Sequence, residues 1–408
     1  MSKIICDHDK CTGCAACRDI CPRNCITMCP DALDSLYPVV DETQCVNCGL
    51  CKNTCPNNCK LIFRQPQKVW AAWSNDDKVR TMSASGGIAY ELYRYWIKEG
   101  GVAVGVVYER DGGCHYVLIE VESDIQATQN SKYTFSDTVS IYKIVKRKLQ
   151  AGVPVLFIGV PCQVAGLYGF LKKDYENLVT VDIICHGMPP AAYLQQHVEF
   201  VESLKNERTS LLCFRDPKYH TDTFTFTLKD NAGKEFYKKK VLSGDNYQLG
   251  YHRALIYREN CYSCNYARAD RISDLTIGDF SGLGNVTPID YNSRNVSCIL
   301  QNSLRGAELL HDLGSAISLR ERPMREAFEY EKQLKSPSIK HIKRDVFESE
   351  YRVSKDFEKA ASIALEDEKK AAASQRIIMS FRSFFRCVMP MSKIRRIKWL
   401  FRKRYGTK

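Results

Sequence analysis

Residues 153–173, VPVLFIGVPCQVAGLYGFLKK, indicate the fold class, because they place a buried strand directly in front of a helix. The run VPVLFIGV is almost wholly apolar, which is typical of a strand that is covered on both faces of a sheet. The segment QVAGLYGFLKK predicts the helix that follows. Cys162 stands at the junction, and in open α/β sheets ligands bind at the carboxyl ends of the strands.

The same succession of strands and helices extends to both sides of this stretch. Strands are predicted in GVAVGVVYE, CHYVLIEVE, LVTVDIICHG and DLTIGDFSGLG, and helices in IAYELYRYWIKEG, SIYKIVKRKLQAG and PAAYLQQHVEFVESL. Apolar strands that alternate with helices predict an α/β core, a mostly parallel sheet with helices on both faces. Residues 214–241 predict a hairpin that is inserted into this core.

Two further polar features fall at predicted strand ends. Cys185 ends the run TVDIIC and is followed by His186, and Asp279 ends the run LTIGD. Because the carboxyl ends of parallel strands meet at one edge of a sheet, these residues are candidates for a shared binding site.

The turn SASGG precedes a predicted helix and contains Ser83, Ser85, Gly86 and Gly87. Free backbone N–H groups and the helix dipole favour an anion such as a phosphate at this place. The alternative is that Ser85 simply caps the helix.

The first sixty residues hold twelve of the twenty cysteines, most of them in a duplicated motif. The runs CTGCAACRDICP and CVNCGLCKNTCP both follow C-x2-C-x2-C-x3-C-P and are offset by 34 residues. In two-cluster ferredoxins with this spacing, the fourth cysteine of each run ligates the other cluster. The predicted ligands are Cys11, Cys14, Cys17 and Cys55 for one [4Fe-4S] cluster, and Cys45, Cys48, Cys51 and Cys21 for the other.

Zinc is the alternative occupant, but zinc sites usually pair two Cys-x-x-Cys units, and the third closely spaced cysteine of each run argues against it. Four more cysteines in this segment, Cys6, Cys25, Cys29 and Cys59, fall outside the ligand positions and are interpreted as packing residues.

The pair Cys261 and Cys264, in NCYSCNYARADRISDLTIGD, has no second Cys-x-x-Cys beside it. Cys162 and Cys185, both at strand ends, are candidates for the two missing ligands of a third [4Fe-4S] cluster. The alternative for a cysteine at a strand end is buried packing. Cys114, Cys213, Cys298 and Cys387 lack this context and are interpreted as structural.

The net charge of +12 comes from one end of the chain. Residues 369–408 hold thirteen Lys and Arg and no Asp or Glu, and the rest carries 46 basic against 47 acidic residues. The overall charge is therefore no argument for nucleic-acid binding. From residue 376 on, apolar and aromatic residues recur at helical spacing among basic ones, which predicts an amphipathic helix that binds an anionic membrane surface. The alternative is a helix that packs on the protein body or on a partner.

The chain opens without a signal peptide and has no run of 18 apolar residues, so we expect a cytoplasmic protein, held at the inner face of the membrane if the tail binds there. We expect three parts. These are a two-cluster ferredoxin domain at 1–62, a flavin and iron–sulfur domain at 63–345, and a helical tail at 346–408.

The motifs SASGGIAYEL, SKYTFSDT, VLFIGVPCQVAGLYGFL, VDIICHGMPP and ENCYSCNYARADRISDLTIGDF occur in this order. With them, residues 1–345 resemble the coenzyme F(420) hydrogenase/dehydrogenase beta-subunit family. The resemblance implies bound FAD and an internal [4Fe-4S] cluster, which fits the four cysteines named above. It implies that SASGG contacts the flavin phosphates, that Lys132 and Tyr133 line the flavin, and that Asp279 belongs to its pocket.

The expected function is that of an iron–sulfur flavoprotein oxidoreductase. It would pass electrons between the ferredoxin clusters and a two-electron acceptor through FAD. Some members of the family occur with polysaccharide-synthesis genes, which makes a link to that biosynthesis an expectation. His186 and Lys132 are the candidate catalytic residues, and His186 is equally well a plain turn residue. The alternatives are a non-catalytic electron-transfer subunit of a larger complex, and a cluster-bearing structural or sensor protein on a membrane.

Overall fold

The structure, a computed structural model, describes residues 3–111 and 113–373. The strands are β1 Ile26–Pro30, β2 Leu36–Val40, β3 Lys68–Ser74, β4 Val102–Glu109, β5 Gly113–Ile119, β6 Val155–Gly159, β7 Leu178–Ile183, β8 Leu211–Cys213, β9 Phe226–Lys229, β10 Glu235–Lys239, β11 Leu275–Asp279, β12 Ser297–Gln301 and β13 Ile317–Arg322.

The helices are α1 Ala16–Ile20, α2 Leu50–Thr54, α3 Asp77–Met82, α4 Ile88–Lys98, α5 Ile125–Thr128, α6 Ile141–Gln150, α7 Pro161–Leu171, α8 Ala191–Lys205, α9 Asn246–His252, α10 Leu304–Asp312, α11 Met324–Phe328, α12 Arg344–Ser354 and α13 Phe357–Ala364.

Eight of the described strands form one mixed sheet in the order β13-β3-β12-β11-β7-β6-β4-β5. The four central strands β11, β7, β6 and β4 are parallel, as predicted. β5, β12, β3 and β13 pair antiparallel at the two sides. The predicted α/β core is confirmed, and it is wider than the sequence indicated, because β3, β12 and β13 were not predicted.

Helices cover both faces of the sheet, and strand β6 shows how. Val155 and Phe157 pack with Val164 and Leu167 of α7, whereas Leu156 points to the other face. That other face is covered by residues of α4, α5 and α10. Successive side chains of a strand point to opposite faces, so a strand between two helical layers must be apolar throughout.

A second apolar core lies beside the sheet, around the inserted segment. The predicted hairpin is the pair β9–β10, and β8 adds a third antiparallel strand. α8, α9, α12 and α13 pack on it. In this core the ring of Tyr193 lies 4.8 Å from that of Tyr351 and 5.4 Å from that of Phe357. The first two helices after residue 343 therefore bury aromatic side chains in the body of the protein.

The predicted domain bounds stay a prediction, although α12 begins at Arg344 and crosses the bound expected at 345. The amphipathic segment 376–408, and Cys387 with it, lies outside the described residues. Among the described residues, no helix combines the length and the apolar character that crossing a membrane requires.

The N-terminal segment folds around two short helices, α1 and α2, and the hairpin β1–β2. Gly13 and Ala15 in the first run have positive φ, and so do Asn47 and Gly49 at the equivalent positions of the second run. The two runs therefore wind in the same way, as their duplication predicts.

Candidate iron–sulfur centres and the adjoining cavity

The first thiol set consists of Cys11, Cys14, Cys17 and Cys55, and the four line one small cavity. All four are buried. Three come from the first run and the fourth from the second, which is the exchange that the ferredoxin spacing predicts. Cys6 lines the same cavity, although no sequence pattern placed it there.

The second thiol set consists of Cys21, Cys45, Cys48 and Cys51, which line a second small cavity. Cys48 is exposed and the other three are half-buried, so this set lies at the protein surface. Cys25, which was predicted to pack, has its Sγ 3.4 Å from Sγ of Cys21.

The third thiol set consists of Cys162, Cys185, Cys261 and Cys264, and these four also line one cavity. Cys162 lies in the first turn of α7, directly after β6, and Cys185 lies just beyond the end of β7. Cys261 and Cys264 come from a 3-10 helix at Glu259–Ser263 and the residue after it. The structure thus brings together the four cysteines that the sequence proposed as one site.

Hydrogen bonds and an ion pair fix the loop that carries Cys261 and Cys264. The backbone N–H of Met188 donates to Sγ of Cys261 at 3.4 Å. Arg271, which lines the same cavity, pairs with Asp182 of β7 at 2.7 Å and donates to the carbonyl of Tyr266 at 2.8 Å. The loop is therefore tied to the strand that leads to Cys185.

Burial raises the pKa values of the thiols in this set. The pKa of Cys162 is raised by burial, and the sulfurs of Cys185 and Cys264 raise it further. Burial likewise raises the pKa of Cys261 to about 12. A bound metal ion would favour the thiolate forms. Four thiolates that line one cavity are the donor set that a [4Fe-4S] cluster needs.

Within the described ranges, no three His, Cys, Asp or Glu side chains converge closely enough to hold a single metal ion. A [4Fe-4S] cluster does not require such convergence, because each of its four thiolates binds a different iron.

α7 connects the third thiol set to the first. A Cβ atom added to Gly166 would lie 3.0 Å from Sγ of Cys14, and one added to Gly169 would lie 2.2 Å from the carbonyl of Thr54. The absence of side chains at both glycines lets the N-terminal segment rest directly on this helix. Gly166 is four residues from Cys162, which is a rise of about 6 Å along a helix.

A cavity of about 460 Å³ opens at the carboxyl ends of β6, β7 and β11, which is within the usual size of ligand pockets. Its wall includes the first turn of α4 and the rings of Tyr116, Tyr133, Tyr251 and Tyr257. Residues 185–188 line both this large cavity and that of the third thiol set. The two sites therefore share a wall.

Most of the predicted flavin contacts line the large cavity, namely Ser83, Ser85, Gly87, Lys132, Tyr133 and Asp279. Gly86 does not. Its N–H donates to Oγ of Ser297 at 2.8 Å, and an added Cβ would lie 2.3 Å from the carbonyl of Ala72. Gly86 thus packs against β3 and β12, and its N–H group is already engaged.

The alternative role of Ser85 as a helix cap is wrong. Residue Gly87 precedes α4, with φ of 84° and no side-chain cap. Ser85 Oγ instead donates to the carbonyl of Val296 at 3.2 Å. The first N–H groups of an α-helix have no intrahelical partner. In α4 these groups belong to Ile88 and Ala89, two residues that line the large cavity. These groups fit the phosphates of a dinucleotide better than the hydroxyl of Ser85 does.

The Lys132 ammonium group is engaged by the backbone. Nζ donates to the carbonyls of Thr128 and Gln129, each at 2.8 Å, at the end of α5. Burial lowers the pKa of Lys132 to about 8. Its charge therefore caps a helix end at the edge of the cavity. His186, the other candidate, lines the cavity beside Cys185.

Arg215 and His252 are among the cavity residues that the sequence analysis did not single out. Arg215, which follows β8, pairs with Asp279 at 2.6 Å, and its guanidinium lies 4.4 Å from the ring centre of Phe224. His252 at the end of α9 has an Nε2 without a hydrogen-bond partner among the described residues. Burial lowers the pKa of His252 to about 4. Arg215 belongs to the inserted segment and His252 to α9, which packs on it. No sequence pattern placed either residue over the strand ends.

Comparisons with known proteins agree with this picture. Two sequence models describe the coenzyme F420 hydrogenase/dehydrogenase beta subunit, and the one for its C terminus matches residues 153–327. The one for its N-terminal part matches residues 69–143. The model of the 4Fe-4S binding domain matches residues 7–27. No curated protein matches the chain.

Among solved structures, one similar chain belongs to the xenon-derivatised F420-reducing [NiFe] hydrogenase complex from Methanosarcina barkeri. It is 17% identical, with a TM-score of 0.43, and the match covers 76% of this chain and 91% of that chain. The two family models together span more than half of the 408 residues. The chain is an iron–sulfur protein of the oxidoreductase type, and it belongs to the coenzyme F420 hydrogenase/dehydrogenase beta-subunit family.

Proposed function

We propose that this chain is an iron–sulfur flavoprotein oxidoreductase with three [4Fe-4S] clusters and one FAD. The observation that carries the proposal is the wall at residues 185–188, which the third thiol set and the large cavity share. A redox group held by those thiols would lie directly beside a ligand in the cavity.

The order of the sites supports a route for electrons between the protein surface and the large cavity. The second thiol set is at the surface, the first is buried behind it, and the third lies beside the first along α7. When bound, such clusters carry single electrons and FAD exchanges one or two, so the row would couple a one-electron carrier to a two-electron acceptor. The partner at the surface is then a redox protein, and the acceptor reaches the large cavity.

The residues of the cavity fit FAD in three ways. The first turn of α4 offers unpaired backbone N–H groups for the phosphates. The tyrosine rings and the apolar strand residues offer a flat surface for the isoalloxazine. Arg215 and Asp279, which both line the cavity, form a charged pair that can orient polar ring atoms or a substrate.

A link to polysaccharide biosynthesis follows from the family resemblance. The favoured alternative is a non-catalytic electron-transfer subunit, and the exposed position of Cys48 is the observation that supports it. In that case the chain would relay electrons to a partner enzyme and would not reduce a small substrate itself.

Cofactor content of the anaerobically purified protein tests the proposal. We expect about twelve iron atoms per chain, as three clusters of four require, and one extractable FAD. About eight iron atoms and no flavin would exclude the third cluster and the flavin enzyme together. A full cofactor content without reduction of any small acceptor, but with transfer to a partner protein, would favour the alternative.

A further inference from the structure

Arg258 is a buried arginine between the N-terminal segment and the loop of the third thiol set. Only 1% of it is exposed. Its guanidinium lies 5.2 Å from the ring centre of Tyr37 and 5.0 Å from that of Phe135. It is three residues ahead of Cys261, and Gly13 lies so close that an added Cβ would be 2.9 Å from Nη2.

All hydrogen bonds of its side chain go to uncharged groups. Nη2 donates to the carbonyl of Leu36 at 3.0 Å and to that of Cys11 at 3.3 Å. Nε lies 3.4 Å from Oδ1 of Asn260. Nη1 is buried and has no hydrogen-bond partner among the described residues.

The other buried arginines of the described chain each have a carboxylate. These pairs are Arg215–Asp279 at 2.6 Å, Arg271–Asp182 at 2.7 Å, Arg322–Glu326 at 2.8 Å and Arg344–Glu348 at 2.7 Å. Burying a charge without a counter-ion is costly. A buried arginine that has two aromatic rings and no carboxylate therefore indicates an anion that the polypeptide itself does not provide.

Arg258 joins the first and third thiol sets. Its Nη2 donates to the backbone carbonyl of Cys11, a residue of the first set. Along the chain it directly precedes the 3-10 helix that carries Cys261 of the third set. One buried guanidinium is therefore tied to both sets.

We propose that Arg258 is the shared counter-charge of the first and third clusters and raises the reduction potentials of both. The inference rests on the proposed occupancy of the thiol sets by clusters. Reduction adds one negative charge to a cluster, and a nearby buried cation stabilises the reduced form more than the oxidised form. Arg258 is thus a positioning residue, which also ties the ferredoxin segment to the cluster loop.

The test is an anaerobic redox titration of the holoprotein, followed by electron paramagnetic resonance, with sodium dithionite as the reductant. In Arg258→Gln, we expect the ratio of reduced to oxidised form to fall about tenfold for two clusters at a fixed potential, which is 59 mV for a one-electron couple. The second cluster serves as the internal control, because none of the hydrogen bonds and ring contacts of Arg258 is made to a residue that lines the cavity of the second set. Arg258→Lys keeps the charge and should stay close to the unaltered protein.

Asn260→Asp covers the case in which Arg258→Gln fails to fold. This nearly isosteric change puts a carboxylate beside Nε of Arg258 and should also lower the two potentials. Unchanged potentials in Arg258→Gln or Asn260→Asp, with about twelve iron atoms still bound, would overturn the role of Arg258 and leave the proposed function standing. A shift in Arg258→Lys as large as that in Arg258→Gln would also overturn it. About eight iron atoms in the unaltered protein would instead end the proposed function, and the shared role with it.

Discussion

Cys264 shows at the scale of one residue how position gives a side chain its role. It is half-buried, follows a 3-10 helix, and lines a cavity with Cys162, Cys185 and Cys261. Cys114 is more deeply buried, at 3% exposure, and lines none of the thiol cavities. The burial of a cysteine therefore does not by itself indicate a cluster ligand. The cavity that Cys264 shares with three other thiols is what distinguishes it from Cys114.

This contrast gives the first prediction. We expect Cys264→Ala to bind about eight iron atoms in place of about twelve, because a [4Fe-4S] cluster needs its fourth thiolate. Anaerobic iron analysis per chain measures the loss. Cys114→Ala is the matched control and should keep the full iron content. Equal iron contents in the two variants would show that Cys264 holds no cluster.

Among elements, α7 has the largest effect on the arrangement of the sites. It carries Cys162 in its first turn, and its two glycines receive the N-terminal segment. The second prediction is that Gly166→Leu slows the reduction of bound flavin by a protein electron carrier. An added Cβ would lie 2.7 Å from Oη of Tyr142 and 2.9 Å from Cβ of Cys14, so a larger side chain must push the two sites apart.

Stopped-flow absorbance under anaerobic conditions measures this rate. The overpacking should also cost about 1–3 kcal/mol of stability. Iron and flavin contents must be unchanged for the comparison to hold, and Gly166→Ala should give an intermediate rate. A Gly166→Leu protein with all cofactors and the rate of the unaltered protein would show that the contact along α7 is not the route.

A buried ion cluster joins α8, α9 and α13. Nε2 of His197 lies 3.1 Å from Asp245, and Nδ1 lies 2.5 Å from Glu358. Burial alone would lower the pKa of His197, but the two carboxylates outweigh it and raise the pKa to about 10. The imidazole is therefore protonated at neutral pH, donates a hydrogen bond to Glu358 through Nδ1 and forms an ion pair with Asp245 through Nε2.

The third prediction concerns pH. A raised histidine pKa stabilises the folded state fully below about 6.5, and this contribution is lost as pH rises toward about 10. His197→Gln should cost about 3 kcal/mol near pH 6.5, and the difference from the unaltered protein should shrink toward pH 10. Anaerobic thermal unfolding across this range measures it. His311→Gln is the control, since that side chain is 90% exposed. A difference that is constant with pH would contradict the assignment.

At the scale of the whole molecule, the described residues form a row of sites. The second thiol set lies at the surface, the first and third lie in the interior, and the large cavity adjoins the third. Residues 374–408 lie outside the description, and their composition carries the fourth prediction. A chain ending at residue 373 should keep its iron and flavin but lose binding to vesicles that contain anionic lipid, because each basic residue near such a surface contributes about 1 kcal/mol. Vesicle pelleting measures it, and neutral vesicles are the control. If the shortened chain pelleted undiminished with the anionic vesicles, the membrane hypothesis would be contradicted.

Much of the core could be predicted because its signals are local. The apolar runs at β6 and β7 can hardly be anything but covered strands, since both faces are buried. β12 and β13 are as long as β6 and β7, but they escaped prediction because β3, the strand that both pair with, is more than 200 residues away in sequence. No periodicity within a short window reports such pairing.

The amino-acid sequence alone was enough to predict eight ferredoxin cysteines, the parallel centre of the sheet and the candidates at its strand ends, because spacing and periodicity are properties of neighbouring residues. The folded chain was needed to show that Cys162, Cys185, Cys261 and Cys264 share one cavity, that Gly86 faces away from the large cavity, and that Arg215 and Arg258 take part at all. These contacts join residues that lie far apart along the chain. They depend on the path of the folded backbone, and burial then sets the charge and the protonation of each group.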